Sequence, residues 1–182
     1  MTLTESDALQ IQKLQENSLL EEADMHILDV EQRGAVLVTC ACCPPVHDIF
    51  RGVGGLHGPS LGESRFWKLS LNGGPLLIPN ESQMNRALHE DRTLIEHLRS
   101  ASRIDDIGVV ALLAHVPCAV NPYPLLRTLD LLIRAKARLK WELVGMKAAC
   151  FLHVDRANEG SRTYFLSQDK WERARSCDAR SA

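Results

Sequence analysis

Two apolar runs that end in metal-binding side chains constrain the fold of this chain more than any other feature. Residues 35–39 (AVLVT) lead into Cys40, and residues 107–114 (IGVVALLA) lead into His115 and Cys118. Short apolar runs rich in β-branched residues are typical of buried strands in a parallel sheet. Neighbouring parallel strands end at the same edge of a sheet, so the three side chains are expected to meet there.

These three side chains form a suitable ligand set for Zn²⁺. Thiolates and imidazoles are preferred zinc donors, and three protein ligands leave the fourth tetrahedral position for water, as in catalytic sites. A His-x-x-Cys pair alone is weak evidence, because a buried cysteine often acts as a small apolar side chain. The sequence predicts a catalytic zinc site at Cys40, His115 and Cys118, provided that the two runs are adjacent strands.

Helical and strand-like segments alternate along the chain, which predicts an α/β fold with a central, mostly parallel sheet flanked by helices. The spacing of apolar residues predicts helices over 5–23, 81–100 and 124–142, and strands over 34–39, 66–71, 107–114, 148–154 and 162–166. We expect an N-terminal helical arm (1–30), an α/β zinc-binding domain (31–170) and a C-terminal tail (171–182). Because the apolar face of the first helix is loose, the arm is expected to pack on a partner chain.

Composition excludes several classes of function. The 182 residues include 21 basic and 23 acidic side chains, so no basic surplus predicts nucleic-acid binding. No apolar run reaches the roughly 18 residues of a membrane span, and the polar, acidic N-terminus does not resemble a signal peptide. The six cysteines are too unevenly spaced for a disulfide framework. We therefore expect a cytoplasmic protein with reduced thiols and with no nucleic-acid or membrane partner.

The two runs and their ligands resemble the β-class carbonic anhydrases, which have a cysteine after the first strand and a histidine-x-x-cysteine after a later one. The matching stretches are 36–40 (VLVTC) and 109–118 (VVALLAHVPC), and 66–74 (FWKLSLNGG) is similar to the family's short strand and glycine turn. The resemblance implies that Cys40, His115 and Cys118 bind Zn²⁺ within a parallel sheet flanked by helices. It also implies a homodimer whose N-terminal helices wrap on the partner.

The activity implied by this resemblance is that of a carbonate dehydratase, a zinc lyase in which zinc-bound hydroxide attacks CO2 or a similarly small molecule. CO2 and bicarbonate would then be the substrate and product. Family members usually carry Cys-x-Asp-x-Arg, in which the aspartate contacts the zinc water and the arginine holds the aspartate. This chain has Cys42 and Pro44 at those two positions. Asp48 and Arg51, just downstream, are the candidate catalytic replacements; the alternative is a surface salt bridge or two solvated side chains.

Three interpretations of Cys42 and Cys43 remain open. They are ordinary small residues at the sheet edge, or one of them is a fourth zinc ligand, or they are redox-active thiols beside the metal. The last two correspond to a rival function: a catalytically inactive carbonic anhydrase-like protein with a closed structural zinc site or a thiol-based redox role. His47 is a further candidate ligand or proton shuttle, and its alternative is an ordinary loop histidine.

Overall fold

The fold is that of a computed structural model, which describes residues 2–23, 35–43, 66–85, 89–104, 107–156 and 160–178. The strands are β1 (Leu20–Glu22), β2 (Ala35–Cys40), β3 (Phe66–Leu71), β4 (Val109–Val116), β5 (Lys147–Arg156) and β6 (Gly160–Leu166). The helices are α1 (Glu5–Glu16), α2 (Glu90–Ile104), α3 (Leu125–Glu142) and α4 (Gln168–Asp178). Two short 3-10 helices cover Gly74–Leu77 and Gln83–Asn85.

The six strands form one mixed sheet in the order β1-β6-β5-β4-β2-β3. Strands β3, β2, β4 and β5 run parallel to one another, and β6 runs antiparallel to both of its neighbours, β5 and β1. This arrangement confirms the predicted α/β fold class. In the register between β2 and β4, Ala35 lies opposite Val109 and Thr39 lies opposite Leu113. The two ligand-bearing runs are therefore adjacent parallel strands, as the sequence predicts, and they end at the same edge.

All four helices contribute to the apolar core on one face of the sheet. Most even-numbered side chains of β2, β4 and β5 face this core, and the odd-numbered ones form a second cluster on the opposite face; Cys40, at the end of β2, belongs to the second cluster. The helix residues in the first cluster include Ile11, Leu14, Leu94, Leu98, Leu129, Leu132 and Trp171. Since Ile11 is fully buried there, α1 packs on the sheet of its own chain, although its Leu9 is exposed. None of the described helices is long and apolar enough to cross a membrane.

The N-terminal boundary differs from the sequence prediction. The helix predicted over 5–23 ends at Glu16, where Asn17 caps it and Ser18 adopts a φ of 54°. A positive φ is uncommon for a residue with a side chain and is incompatible with a continuing helix. The chain then turns, and Leu20–Glu22 pairs with β6 as an unpredicted edge strand.

The helix predicted over 81–100 begins at Glu90 instead. His89 has a φ of 50°, and the side-chain Oδ1 of Asn85 accepts a hydrogen bond from the Asp91 amide at 3.2 Å. Such a bond satisfies one of the amides that a helix start leaves without an intrahelical partner. By contrast, β3 has its predicted bounds, and α3 starts one residue after its predicted first residue.

Candidate metal centre

Four potential ligands converge at the carboxyl edge of β2 and β4. Cys40 is the last residue of β2, His115 is the last but one of β4, and Cys118 follows β4 by two residues. Cys42 joins them from the turn after β2, in which the Cys43 amide donates to the Cys40 carbonyl at 3.0 Å. The ligand atoms of Cys40, Cys42, His115 and Cys118 all lie within 4.8 Å of one another.

The separations between these atoms are in the range that one bound metal ion requires. Cys42 Sγ lies 3.2 Å from Cys40 Sγ, 3.3 Å from His115 Nε2 and 3.7 Å from Cys118 Sγ. Cys118 Sγ lies 3.9 Å from Cys40 Sγ. Zinc–sulfur bonds of about 2.3 Å and zinc–nitrogen bonds of about 2.0 Å at tetrahedral angles place neighbouring ligand atoms about 3.5–3.8 Å apart. Four donors at this spacing could hold one metal ion.

A backbone amide stabilises the sulfur of Cys40. The Gly73 amide donates to Cys40 Sγ at 3.2 Å. The backbone N–H groups of Cys42, Ala119 and Val120 also act to lower the pKa values of Cys40, Cys42 and Cys118 respectively. Hydrogen bonds to an ionised acceptor are stronger than those between neutral groups, so these donors favour the thiolate forms. The donor set therefore suits a cation that is bound by thiolates.

Contacts within the cluster shift the pKa values of its three cysteines in different directions. The Cys118 thiol donates to Cys40, and this bond, against the opposing effect of burial, lowers the pKa of Cys40 to about 3. The same bond, together with burial, raises the pKa of Cys118. Burial and the bond with Cys40 also raise the pKa of Cys42. Because zinc binds the thiolate forms, its binding would release the remaining protons from this cluster.

A glycine turn fixes the position of Cys40. Gly73 and Gly74 follow β3 with φ values of 95° and 53°, at the end of the stretch 66–74 that resembles the family's short strand and glycine turn. A Cβ on Gly74 would lie 2.4 Å from the Cys40 backbone nitrogen and 2.5 Å from the Thr39 carbonyl carbon. Both the positive φ and this close approach require glycine at position 74.

Cys42 and Cys43 have different environments, which the sequence does not distinguish. Cys42 is exposed and contacts the other three ligands. Cys43 is buried in the second apolar cluster, to which Cys40 also belongs, and is not among the four clustered donors. Burial raises the pKa of Cys43 to about 11. The available signal for Cys42 is its position two residues after the first ligand, where the resembled family has its aspartate.

The other candidate site residues that the sequence predicts fall outside the part of the chain that the structure describes. Asp48 and Arg51, the candidate catalytic pair, lie there, and so does His47. The glycine-rich segment at 51–64 is outside the described residues as well. Of the site residues that the sequence predicts, the structure thus brings together Cys40, His115 and Cys118, and it adds Cys42.

No protein-family model and no curated protein matches this sequence. Among solved structures, the wild-type β-carbonic anhydrase CafD of the filamentous fungus Aspergillus fumigatus matches with a TM-score of 0.45 and 14% identity, over 81% of this chain and 99% of that chain. A cysteine-to-alanine mutant of the same enzyme matches with a TM-score of 0.41 and 14% identity, over the same 81% and 99%. The matched structures belong to the family that the sequence motif resembles.

Proposed function

We propose that this chain is a carbonic anhydrase-like protein that binds one Zn²⁺ through four protein ligands, Cys40, Cys42, His115 and Cys118. One observation carries the proposal: Cys42 Sγ lies 3.2 Å from Cys40 Sγ and 3.3 Å from His115 Nε2, so a fourth protein donor stands beside the three predicted ligands. Sites with three cysteines and one histidine are typically closed and structural. In this role the metal would join the turn after β2 to the end of β4.

The fourth ligand decides which chemistry is accessible. In an open site, zinc supplies a bound water whose pKa is lowered toward neutrality. A thiolate in the fourth position takes the place of that water. We therefore expect the protein, with Cys42 in the ligand set, to bind zinc without hydrating CO2, which corresponds to the inactive alternative considered from the sequence.

Hydration of CO2 is the second candidate function, and the exposure of Cys42 favours it. Cys42 lies in a turn and is exposed, whereas Cys40 is only 2% exposed and His115 only 7%. Displacing Cys42 would therefore cost less packing than displacing either of these two. Zinc held by Cys40, His115 and Cys118 would then have the three-ligand set of a catalytic site. Asp48 and Arg51 remain the proposed catalytic pair for that activity.

We also propose a cytoplasmic homodimer, without nucleic-acid or membrane partners, as the working form of the protein. The near balance of 21 basic and 23 acidic residues supports the absence of a nucleic-acid partner. The free cysteines in the described part of the chain are compatible with a reducing compartment. Light scattering coupled to size-exclusion chromatography measures the assembly directly.

The deciding experiment measures zinc content and CO2 hydration on the same preparations of four proteins. These are the wild type, Cys42→Ala, His115→Ala and Cys43→Ser, all purified in reducing buffer. We expect about one zinc per chain and no hydration in the wild type, since four protein ligands fill the site. We expect Cys42→Ala to keep zinc more weakly and to gain hydration, because its site has three protein ligands.

The two remaining variants serve as controls. His115→Ala also leaves three protein ligands, all of them thiolates, and is expected to bind zinc more weakly and without hydration, whereas Cys43→Ser is expected to match the wild type because Cys43 is not among the four clustered donors. Hydration by the wild type that disappears in His115→Ala would replace the closed-site proposal with the carbonate dehydratase. A wild type without zinc would contradict both candidate functions.

A further inference from the structure

The three cysteine ligands differ in their accessibility to solvent. Among the five cysteines whose side chains the structure describes, Cys42 is the exposed one. Cys40 is only 2% exposed, and Cys118 is half-buried. A molecule that approaches the cluster from solvent therefore meets the sulfur of Cys42 first.

The charge of the loaded cluster favours nucleophilic sulfur. Three thiolates carry one more negative charge than a zinc dication neutralises, and this excess resides on the sulfur atoms. Hydrogen bonds from amides withdraw electron density from a thiolate and so reduce its nucleophilicity. The Gly73 amide donates to Cys40 Sγ at 3.2 Å, so the sulfur of Cys40 is both less exposed and less nucleophilic than that of Cys42.

We infer that Cys42 is the nucleophilic thiolate of this cluster and a modification site for soft carbon electrophiles, a role that rests on the proposed zinc binding. With an alkyl halide, the sulfur of Cys42 attacks the saturated carbon. The sulfur–carbon bond forms as the carbon–halogen bond breaks, and the halide leaves with the bonding electron pair. No proton is transferred, because the sulfur reacts as the thiolate.

Alkylation changes the ligand set. The product at Cys42 is an uncharged thioether, which lacks the thiolate charge that binds zinc. Cys42 consequently leaves the metal, while Cys40, His115 and Cys118 remain as a set of three protein ligands. This is the composition of an open site. An electrophile in the surroundings would therefore convert the closed site into the open one through a single exposed sulfur atom.

The test uses iodoacetamide on zinc-loaded full-length protein. A Cys177→Ser background removes the cysteine whose side chain lies outside the described part of the chain. Zinc content is measured first, and the alkylated positions are then assigned over time by peptide mass spectrometry. We expect Cys42 to react about tenfold faster than Cys40 or Cys118, because the exposed thiolate is the accessible one. Adding Cys43→Ser to this background is the matched control and should leave the rate at Cys42 unchanged.

Cobalt-substituted protein provides a second readout that does not depend on activity. The sulfur-to-cobalt charge-transfer absorption should fall by about one third on alkylation, since the sulfur ligands decrease from three to two. Zinc-loaded protein that is alkylated first at Cys40 or Cys118, or at equal rates at all three, would overturn the inference and leave zinc binding intact. An unchanged cobalt spectrum after alkylation of Cys42 would contradict the inference that the alkylated Cys42 leaves the metal. Protein without zinc would overturn the proposed function itself.

Discussion

Gly74 lies directly against the backbone that carries Cys40. Its φ of 53° belongs to the left-handed region, and its α-carbon faces the peptide between Thr39 and Cys40 at a distance that leaves no space for a methyl group. The neighbouring Gly73 donates its amide to the Cys40 sulfur. At the residue scale, the site therefore depends on two residues that have no side chains.

Replacing Gly74 by alanine should destabilise the protein and weaken zinc binding. The positive φ costs roughly 1 kcal/mol, and the overlap with the Cys40 backbone adds about 1–3 kcal/mol. Denaturant unfolding measures the first effect, and competition with a chromogenic chelator measures the second. Gly145→Ala is the matched control: φ is +93° at Gly145, but nothing lies within 4 Å of the position that a Cβ would take there. Equal losses in the two variants would contradict the close approach at Gly74.

At the scale of elements, α3 is tied to α2 and to the segment after β3 by one arginine. Arg138 donates to Asp91 Oδ2 at 2.8 Å and to Glu142 Oε1 at 3.0 Å, and it also donates to the Ile78 carbonyl. Its side chain is 17% exposed and that of Asp91 is 8% exposed. Burial raises the pKa of Asp91, but the hydrogen bonds from Asn85 and Arg138 outweigh burial and bring this pKa below its ordinary value.

Replacing Arg138 by methionine should lower the free energy of unfolding by about 2–4 kcal/mol at pH 7, because it leaves a buried carboxylate without its cation. Since the folded pKa of Asp91 is lowered, its contribution is present above the unfolded value of 3.8 and is lost as the pH falls through the folded pKa. The difference between wild type and Arg138→Met should therefore shrink below that pH. Denaturant unfolding at several pH values measures it.

The exposed ion pair between Arg162 and Glu22 supplies the control for this prediction. Its atoms are 3.4 Å apart, and the side chains are 59% and 79% exposed. Exposed pairs contribute about 0–1 kcal/mol, so Arg162→Met should have a small effect. A loss as large as that of Arg138→Met, or a difference that grows in acid, would contradict the role assigned to the Arg138–Asp91 pair.

At the scale of the whole molecule, the proposed zinc site links distant parts of the chain. Cys42 and His115 are 73 positions apart in sequence, and their ligand atoms are 3.3 Å apart. Metal bound here would hold the turn after β2 against the end of β4. Since the unfolded chain does not present the four donors together, zinc should bind the folded state preferentially and stabilise it.

Removing zinc with a chelator should therefore lower the melting temperature. Free zinc at a thousand times its dissociation constant stabilises the folded state by about 4 kcal/mol, which corresponds to a shift of roughly 10 °C for a chain of this size. Circular dichroism melts with and without added zinc measure the shift. His115→Ala, which keeps three of the four ligands, should show a smaller zinc-dependent shift, and a wild-type melting temperature that is independent of zinc would contradict the site.

The sequence alone predicted the central strands, the long helix α3 and the convergence of Cys40, His115 and Cys118. Buried helices and strands show as apolar patterns in the local sequence, which was sufficient to predict these elements. Because neighbouring parallel strands end at the same edge of a sheet, the positions of the three ligands at strand ends were sufficient to predict that they meet. It missed β1 and α4, and it extended α1 and α2 past positions where Ser18 and His89 adopt a positive φ.

Only the tertiary structure decided which of the adjacent thiols, Cys42 or Cys43, meets the ligands. Both residues follow the same strand, and both have the same side chain. Their separation depends on the turn after Cys40, on the glycines after β3 and on where β4 places His115. Contacts between segments far apart in sequence determine that choice, and the local signal for Cys42, its position two residues after Cys40, does not specify those contacts.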